Sequence, residues 1–301
     1  MAVALPASHE ASTPHRSQPL RAVDWLLLGY LSIVSVVALA RAPEQPDCWW
    51  LLLAHGLFVV FLALLTRVRL GPVGQALREV YPLFLLAGLY SELDVLNGAA
   101  DLRIYDALVQ RWELALFGSQ ISQEWYRTAP SRFLSFLFHG AYFSYYFIVS
   151  LPAFYFLWRR DFPAARHFVL VVMTTFVLCY LVFIFFPVAG PSYVFPPPPD
   201  WLLDNPAARL VYQTLATGSS YGTAFPSSHV AATVAAAIAA TRGSRRLGLT
   251  LLTPTILLLL VVVYCQMHYG VDAMAGVMVG GAVGVGTRTQ KWKVTKVASD
   301  K

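Results

Sequence analysis

Apolar and polar positions fall along this chain in blocks rather than as single alternating residues. Eight largely uncharged stretches, at about 25–40, 49–66, 80–96, 133–157, 167–187, 227–241, 247–264 and 268–287, are separated by shorter polar segments. Most approach the ~20 residues that cross a hydrocarbon core as a helix. The long Leu/Val/Phe runs make the fourth, fifth and seventh the clearest spans. The sixth, HVAATVAAAIAA, is short and weakly apolar, which suits a helix packed inside a bundle. Transmembrane barrels show ~10-residue alternating segments instead. The pattern therefore predicts an all-α, polytopic membrane helical bundle of about eight spans.

Two polar connections are long. Residues 97–132 contain DLRIYDALVQRWELALFG, whose apolar residues recur at helical spacing between charges; this predicts an interfacial amphipathic helix. Residues 188–226 contain VAGPSYVFPPPPDW, and Pro196 to Pro199 predict extended polyproline backbone there. Neither a soluble domain nor an internal repeat is visible.

Composition agrees with a membrane protein: 57% of residues are hydrophobic and 13% charged, against about 25% charged in soluble domains. The net charge of +6 acquires meaning from its distribution. With the N-terminus placed in the cytoplasm, sixteen of the 22 Lys and Arg residues fall in inner segments: 16–21, 67–78, 159–166, 242–246 and 288–301. Six remain outside: Arg41, Arg103, Arg111, Arg127, Arg132 and Arg209. Lys/Arg bias sets orientation, so both termini are expected in the cytoplasm. The basic excess is a topology signal, with contact to anionic lipid headgroups, and nucleic acid is not an expected partner. Residues 21–40, ending in Ala38-Leu39-Ala40, also mimic a signal peptide; an uncleaved first span is the favoured reading. Cys48, Cys179 and Cys265 fit no zinc or redox spacing and are expected to pack.

Under this topology three ionisable residues share the outer, extracytoplasmic or lumenal, face. His229 starts span six in AFPSSHVA, and His268 and Asp272 start span eight in HYGVDAMAG. His268 and Asp272 are four residues apart, so on a helix they share a face and can hydrogen-bond. Ionisable residues in spans are functional candidates by default, and helix N-termini attract anions. The site reads as one for phosphate. Ser227 and Ser228 either cap the helix or bind the substrate. Arg209 is the basic candidate for the phosphoryl oxygens, with Arg127 and Arg132 weaker. Tyr193 and His139 are further candidates for substrate contact. Gly276, Gly280 and Gly284 repeat every four residues, which allows close helix packing.

AFPSSHVA followed about 40 residues later by HYGVDAMAG resembles the second and third signature motifs of the type 2 phosphatidic acid phosphatase superfamily. The resemblance covers about residues 80–287 and implies a six-helix catalytic core. It implies that His268 is a nucleophile forming a phosphohistidine, that Asp272 orients and polarises it, and that His229 is the general acid. The phosphatases also carry a Lys-x6-Arg-Pro motif, absent here, and an arginine six residues before the second histidine, where this chain has Val262. Loss of both basic elements is more similar to the inositol phosphorylceramide synthase and sphingomyelin synthase subgroup. Trp112-Glu113-Leu-Ala-Leu-Phe-Gly118 resembles that subgroup's acidic-x-x-Leu-Phe-Gly element.

The organisation expected is an N-terminal tail with two accessory transmembrane helices over 1–79, a membrane-embedded catalytic core over 80–287, and a basic cytoplasmic tail over 288–301. The activity expected is phosphoryl transfer on a phospholipid or lipid phosphate. Transfer of a phospho-headgroup to a lipid alcohol leads, with hydrolysis of a lipid or polyprenyl phosphate as the alternative. A transporter or an inactive scaffold is remote. No metal or other cofactor is expected, and no carboxylate cluster suggests a divalent-cation site.

Overall fold

The computed structural model describes residues 18–68, 70–98 and 102–287; the expected basic tail, 288–301, lies outside them. All eight apolar stretches are helical. In chain order the helices are α1 (Ala22–Arg41), α2 (Cys48–Leu65), α3 (Pro72–Leu96), α4 (Asp106–Phe117), α5 (Ile121–Thr128), α6 (Arg132–Tyr142), α7 (Ser144–Trp158) and α8 (Phe162–Phe185). They continue with α9 (Pro191–Val194), α10 (Asp200–Leu203), α11 (Pro206–Gly218), α12 (Ser228–Gly243), α13 (Arg245–Tyr264) and α14 (Gly270–Gly286). Helices α1, α2, α8, α13 and the α6–α7 stretch of 27 residues are long and apolar enough to cross a membrane. The chain is a multi-pass membrane helical bundle.

Local chemistry sets the breaks. Asp161 caps α8 by accepting the Ala164 N–H at 3.1 Å, and Asn205 caps α11 by accepting the Ala208 N–H at 2.9 Å. Ser244 ends α12 and caps α13, so one residue separates two helices. Such caps satisfy backbone donors that a helix start leaves open.

Helix α12 sits at the centre, packed against α7, α8, α13 and α14. Its alanines are buried around its circumference, so neighbouring backbones approach closely. The glycine stripe of α14 completes this approach. A Cβ at Gly276 would lie 2.7 Å from the Ser227 carbonyl oxygen, and one at Gly280 would run into the Ala231 carbonyl oxygen. The expectation of an interior sixth helix holds. At 16 residues, α12 is about 24 Å long, shorter than a lipid-facing span.

The start of α1 is tied on through a buried carboxylate. Glu79 of α3 accepts both Arg166 of α8, at 2.8 and 3.0 Å, and Arg21 before α1, at 2.8 Å. The three cysteines are buried and free, as packing residues should be.

Four boundaries depart from the sequence reading. Helix α3 begins at Pro72, ahead of the apolar span expected to start at about residue 80. The fourth span turns at Phe143, whose N–H reaches Gly140 O, three residues back, at 3.2 Å. The amphipathic segment is two helices, α4 and α5, broken at Gly118 in the left-handed region (φ 73°). The loop 188–226 is not wholly extended: α11 fills 13 residues of it, while Pro196–Pro199 stay non-helical.

Candidate active site

The segment carrying His268 is held from three sides. The chain leaves α13 through Gln266, a non-glycine residue in the left-handed region at φ 58°; such conformations persist where the surroundings over-determine them. The His268 N–H then bonds the Val262 carbonyl at 2.9 Å. Helix α14 begins only at Gly270, so His268 precedes the helix instead of lying on its first turn. Asp272 closes that turn by accepting the Tyr269 N–H at 2.8 Å. Buried Glu113 of α4 accepts the Gly270 and Val271 N–H groups at 3.1 and 2.9 Å. Burial pushes the Glu113 carboxyl up, and these backbone N–H groups pull it back.

This alters the expected His268–Asp272 pair. Asp272 Oδ2 lies 3.7 Å from His268 Nδ1, beyond hydrogen-bond reach. The partner of Nδ1 is the Ala224 carbonyl oxygen at 2.9 Å. A carbonyl only accepts, so Nδ1 carries the proton and Nε2 keeps its lone pair. Ala224 is itself fixed by a short bridge: its N–H donates to Val188 O at 2.8 Å, and the Val188 N–H to Gly222 O at 3.2 Å. Asp106 of α4 braces the same region, accepting Ala189 and Gly190 N–H at 2.7 and 2.8 Å and the Tyr269 hydroxyl at 3.1 Å.

His229 stands in the first turn of α12, its ring centroid 5.8 Å from that of His268. Its Nε2 is 2.9 Å from the Tyr142 hydroxyl, and the Tyr145 ring covers it at 4.3 Å between centroids. Its Nδ1 is buried with no hydrogen-bond partner among the described residues.

Both histidines open on a cavity of about 310 Å³. Hydroxyl-bearing residues line it with them, among them Tyr90, Tyr142, Tyr193, Ser220, Thr223 and Ser228. Among the described residues lining the cavity there is no lysine or arginine. No three His, Cys, Asp or Glu side chains among the described residues converge as a metal-ligand set.

The structure brings together His229, His268, Asp272, Ser228 and Tyr193, whose hydroxyl is 3.0 Å from Ser219 Oγ. It separates three predicted contacts. Ser227 is buried and does not line the cavity; its hydroxyl accepts the Val230 N–H and its own N–H donates to Asp272 O at 3.0 Å. Its role is a cap that ties α12 to α14. Arg209 lies on the exterior, 64% exposed, paired with Asp204. That guanidinium holds the Asp204 carboxyl below its usual range. His139 is buried behind Tyr212, ring centroids 6.0 Å apart, with its Nδ1 2.8 Å from the Ser135 carbonyl. Tyr212, not His139, faces the cavity. His55 binds Ser35 and Glu92 at 2.7 and 3.2 Å, away from the site.

The sequence reading missed Tyr90, Tyr142, Thr223 and Asp106. His139 lies three residues from Tyr142 and drew attention to the right segment but to the wrong side chain. Nothing local marks Asp106, whose partners lie more than 80 residues away.

A family model described as the PAP2 superfamily matches residues 108–285, more than half of the chain, including both histidines and Asp272. No curated protein and no solved structure gives a match.

Proposed function

The chain belongs to the PAP2 superfamily of membrane phosphatases and phosphotransferases, and we propose that within it this enzyme is a lipid phosphotransferase of the inositol phosphorylceramide synthase type. It takes a phospho-headgroup from a phospholipid, holds it as a phosphohistidine on His268, and passes it to a lipid hydroxyl. The site opens on the extracytoplasmic or lumenal face, with both termini cytoplasmic.

The observation that carries this reading is a cavity wall that, among the described residues, holds no lysine or arginine and whose only basic groups are the two histidines. A phosphomonoester dianion taken out of water needs a paired cation, since burying an uncompensated charge is costly. A phosphodiester carries one charge. Hydroxyls, with the Ser228 and His229 amides that a helix start leaves unbonded, suit the smaller charge.

The chemistry is two displacements. With Nδ1–H held by Ala224, the His268 Nε2 lone pair attacks phosphorus and expels the glyceride oxygen. Asp272, 3.7 Å from Nδ1, stabilises the positive charge that develops on the ring. His229 supplies the proton to the departing oxygen. The acceptor hydroxyl then attacks the phosphohistidine, returning a proton to His229 and the electron pair to His268. Ser228, Tyr193 and the cavity hydroxyls hold the substrate.

The test is purified protein in detergent with ³²P-labelled phosphatidylinositol, then ceramide, diacylglycerol or water alone. Acid-labile phosphoprotein is expected in the parent enzyme and absent in His268→Ala, with label appearing on ceramide or diacylglycerol. Labelled phosphatidic acid giving inorganic phosphate, with no transfer to either alcohol, would show a phosphatase instead.

A further inference from the structure

Resting on that reading, we propose that Tyr142 is a catalytic residue: its hydroxyl is the group that hands the proton between His229 and the reacting lipid oxygen. Tyr142 ends α6, just before the turn at Phe143. It is 4% exposed yet lines the cavity beside both histidines.

His229 has two ring nitrogens through which a proton can travel. Nδ1 is buried with no hydrogen-bond partner among the described residues, so no neighbouring group is placed there to carry a proton onward. Nε2 already faces the Tyr142 hydroxyl at 2.9 Å. The Tyr145 ring covers the imidazole, and the ring of His268 stands 5.8 Å away. A proton leaving Nε2 therefore meets the Tyr142 oxygen first. A phenol hydroxyl both donates and accepts, which is what a relay requires.

The steps balance. As His268 Nε2 bonds phosphorus, the bond to the glyceride oxygen breaks and that oxygen takes the Tyr142 hydroxyl proton. Tyr142 takes the Nε2 proton of the His229 imidazolium, leaving neutral histidine. In the second displacement the acceptor hydroxyl gives its proton to Tyr142, which passes its own to Nε2. The acceptor oxygen bonds phosphorus as the P–N bond breaks. The phenol ends each step as it began.

A matched pair of donors tests this. Phosphatidylinositol and 4-nitrophenyl inositol phosphate transfer the same group, but nitrophenolate leaves without needing a proton. Tyr142→Phe is expected to lose about 100-fold with phosphatidylinositol, the lower end of general acid contributions, and under about threefold in nitrophenolate release. His229→Gln is expected to show the same selectivity, and the double variant to fall no further than His229→Gln, because the two groups act in series. Equal loss with both donors, at an unchanged thermal midpoint, would mean that Tyr142 only shapes the site. Full activity of Tyr142→Phe on both would overturn the proposal too. Should the parent enzyme form neither phosphoprotein nor nitrophenolate, the phosphohistidine reading itself falls, and this proposal with it.

Discussion

The Nδ1 atom of His268 points at the backbone carbonyl of Ala224, 44 residues earlier, at 2.9 Å. The tautomer of His268 is thereby set by main chain, and Asp272 is left free to cap α14 and to act through its charge.

Asp272→Asn separates those duties. Where a carboxylate alone sets the tautomer of a catalytic histidine, its amide costs about 10⁴-fold. Here Ala224 keeps the tautomer, and an asparagine oxygen can still accept the Tyr269 N–H. Phosphoprotein formation is expected to slow by about 100-fold, well short of that loss. Rapid-quench labelling measures it; a fall of four decades would return the orienting role to Asp272.

Glu113→Gln probes the clamp on α14. The carboxylate accepts two N–H groups. An amide offers one oxygen and turns an NH₂ toward the other donor, leaving a buried group unpaired at about 1–3 kcal/mol. A lower thermal midpoint in detergent is expected, with phosphoprotein formation reduced because His268 loses its support. Unchanged values for both would show that α4 merely fills space.

Gly280→Ala tests the α12–α14 contact. The new methyl would meet the Ala231 carbonyl oxygen, and overpacking of this kind costs typically 1–3 kcal/mol. Gly281 has open space at the same position, so Gly281→Ala is the control. The first variant should melt earlier and the second should not.

Arg209→Ala should change turnover by less than about twofold, since exposed ion pairs such as that with Asp204 contribute little. A tenfold loss in initial rate would bring Arg209 back as a phosphate ligand.

Orientation has its own test. Trp201 and Arg160 are exposed at opposite ends of the bundle, and the natural cysteines are buried. An impermeant maleimide added to intact cells is expected to label Trp201→Cys but not Arg160→Cys. The reverse pattern would place the site on the cytoplasmic face.

The helical bundle was legible in the sequence because the long helices are each specified by a run of apolar residues, several of them started by a capping side chain, as at α6, α8, α12 and α13. Helix α12 could be placed inside the bundle from composition alone, since alanines give lipid little to hold and neighbours much room. His229, His268 and Asp272 were legible because charge inside an apolar run is expensive and stands out. Arg209 and His139 misled because chemical type and sidedness marked them, but side-chain direction did not. One turned to Asp204, the other behind Tyr212.

What the sequence determined by itself, then, was a set of local outcomes: which apolar stretches are helical, and which rare polar side chains enter them. Tertiary structure alone decided that Ala224 holds His268, that Glu113 caps α14, that Tyr142 meets His229 87 residues away, and that no cation lines the cavity among the described residues. The reason is physical. Periodicity and capping act over one or two helical turns, whereas a hydroxyl, a carbonyl and an imidazole from distant segments meet only when packing fixes the rotation and depth of each helix.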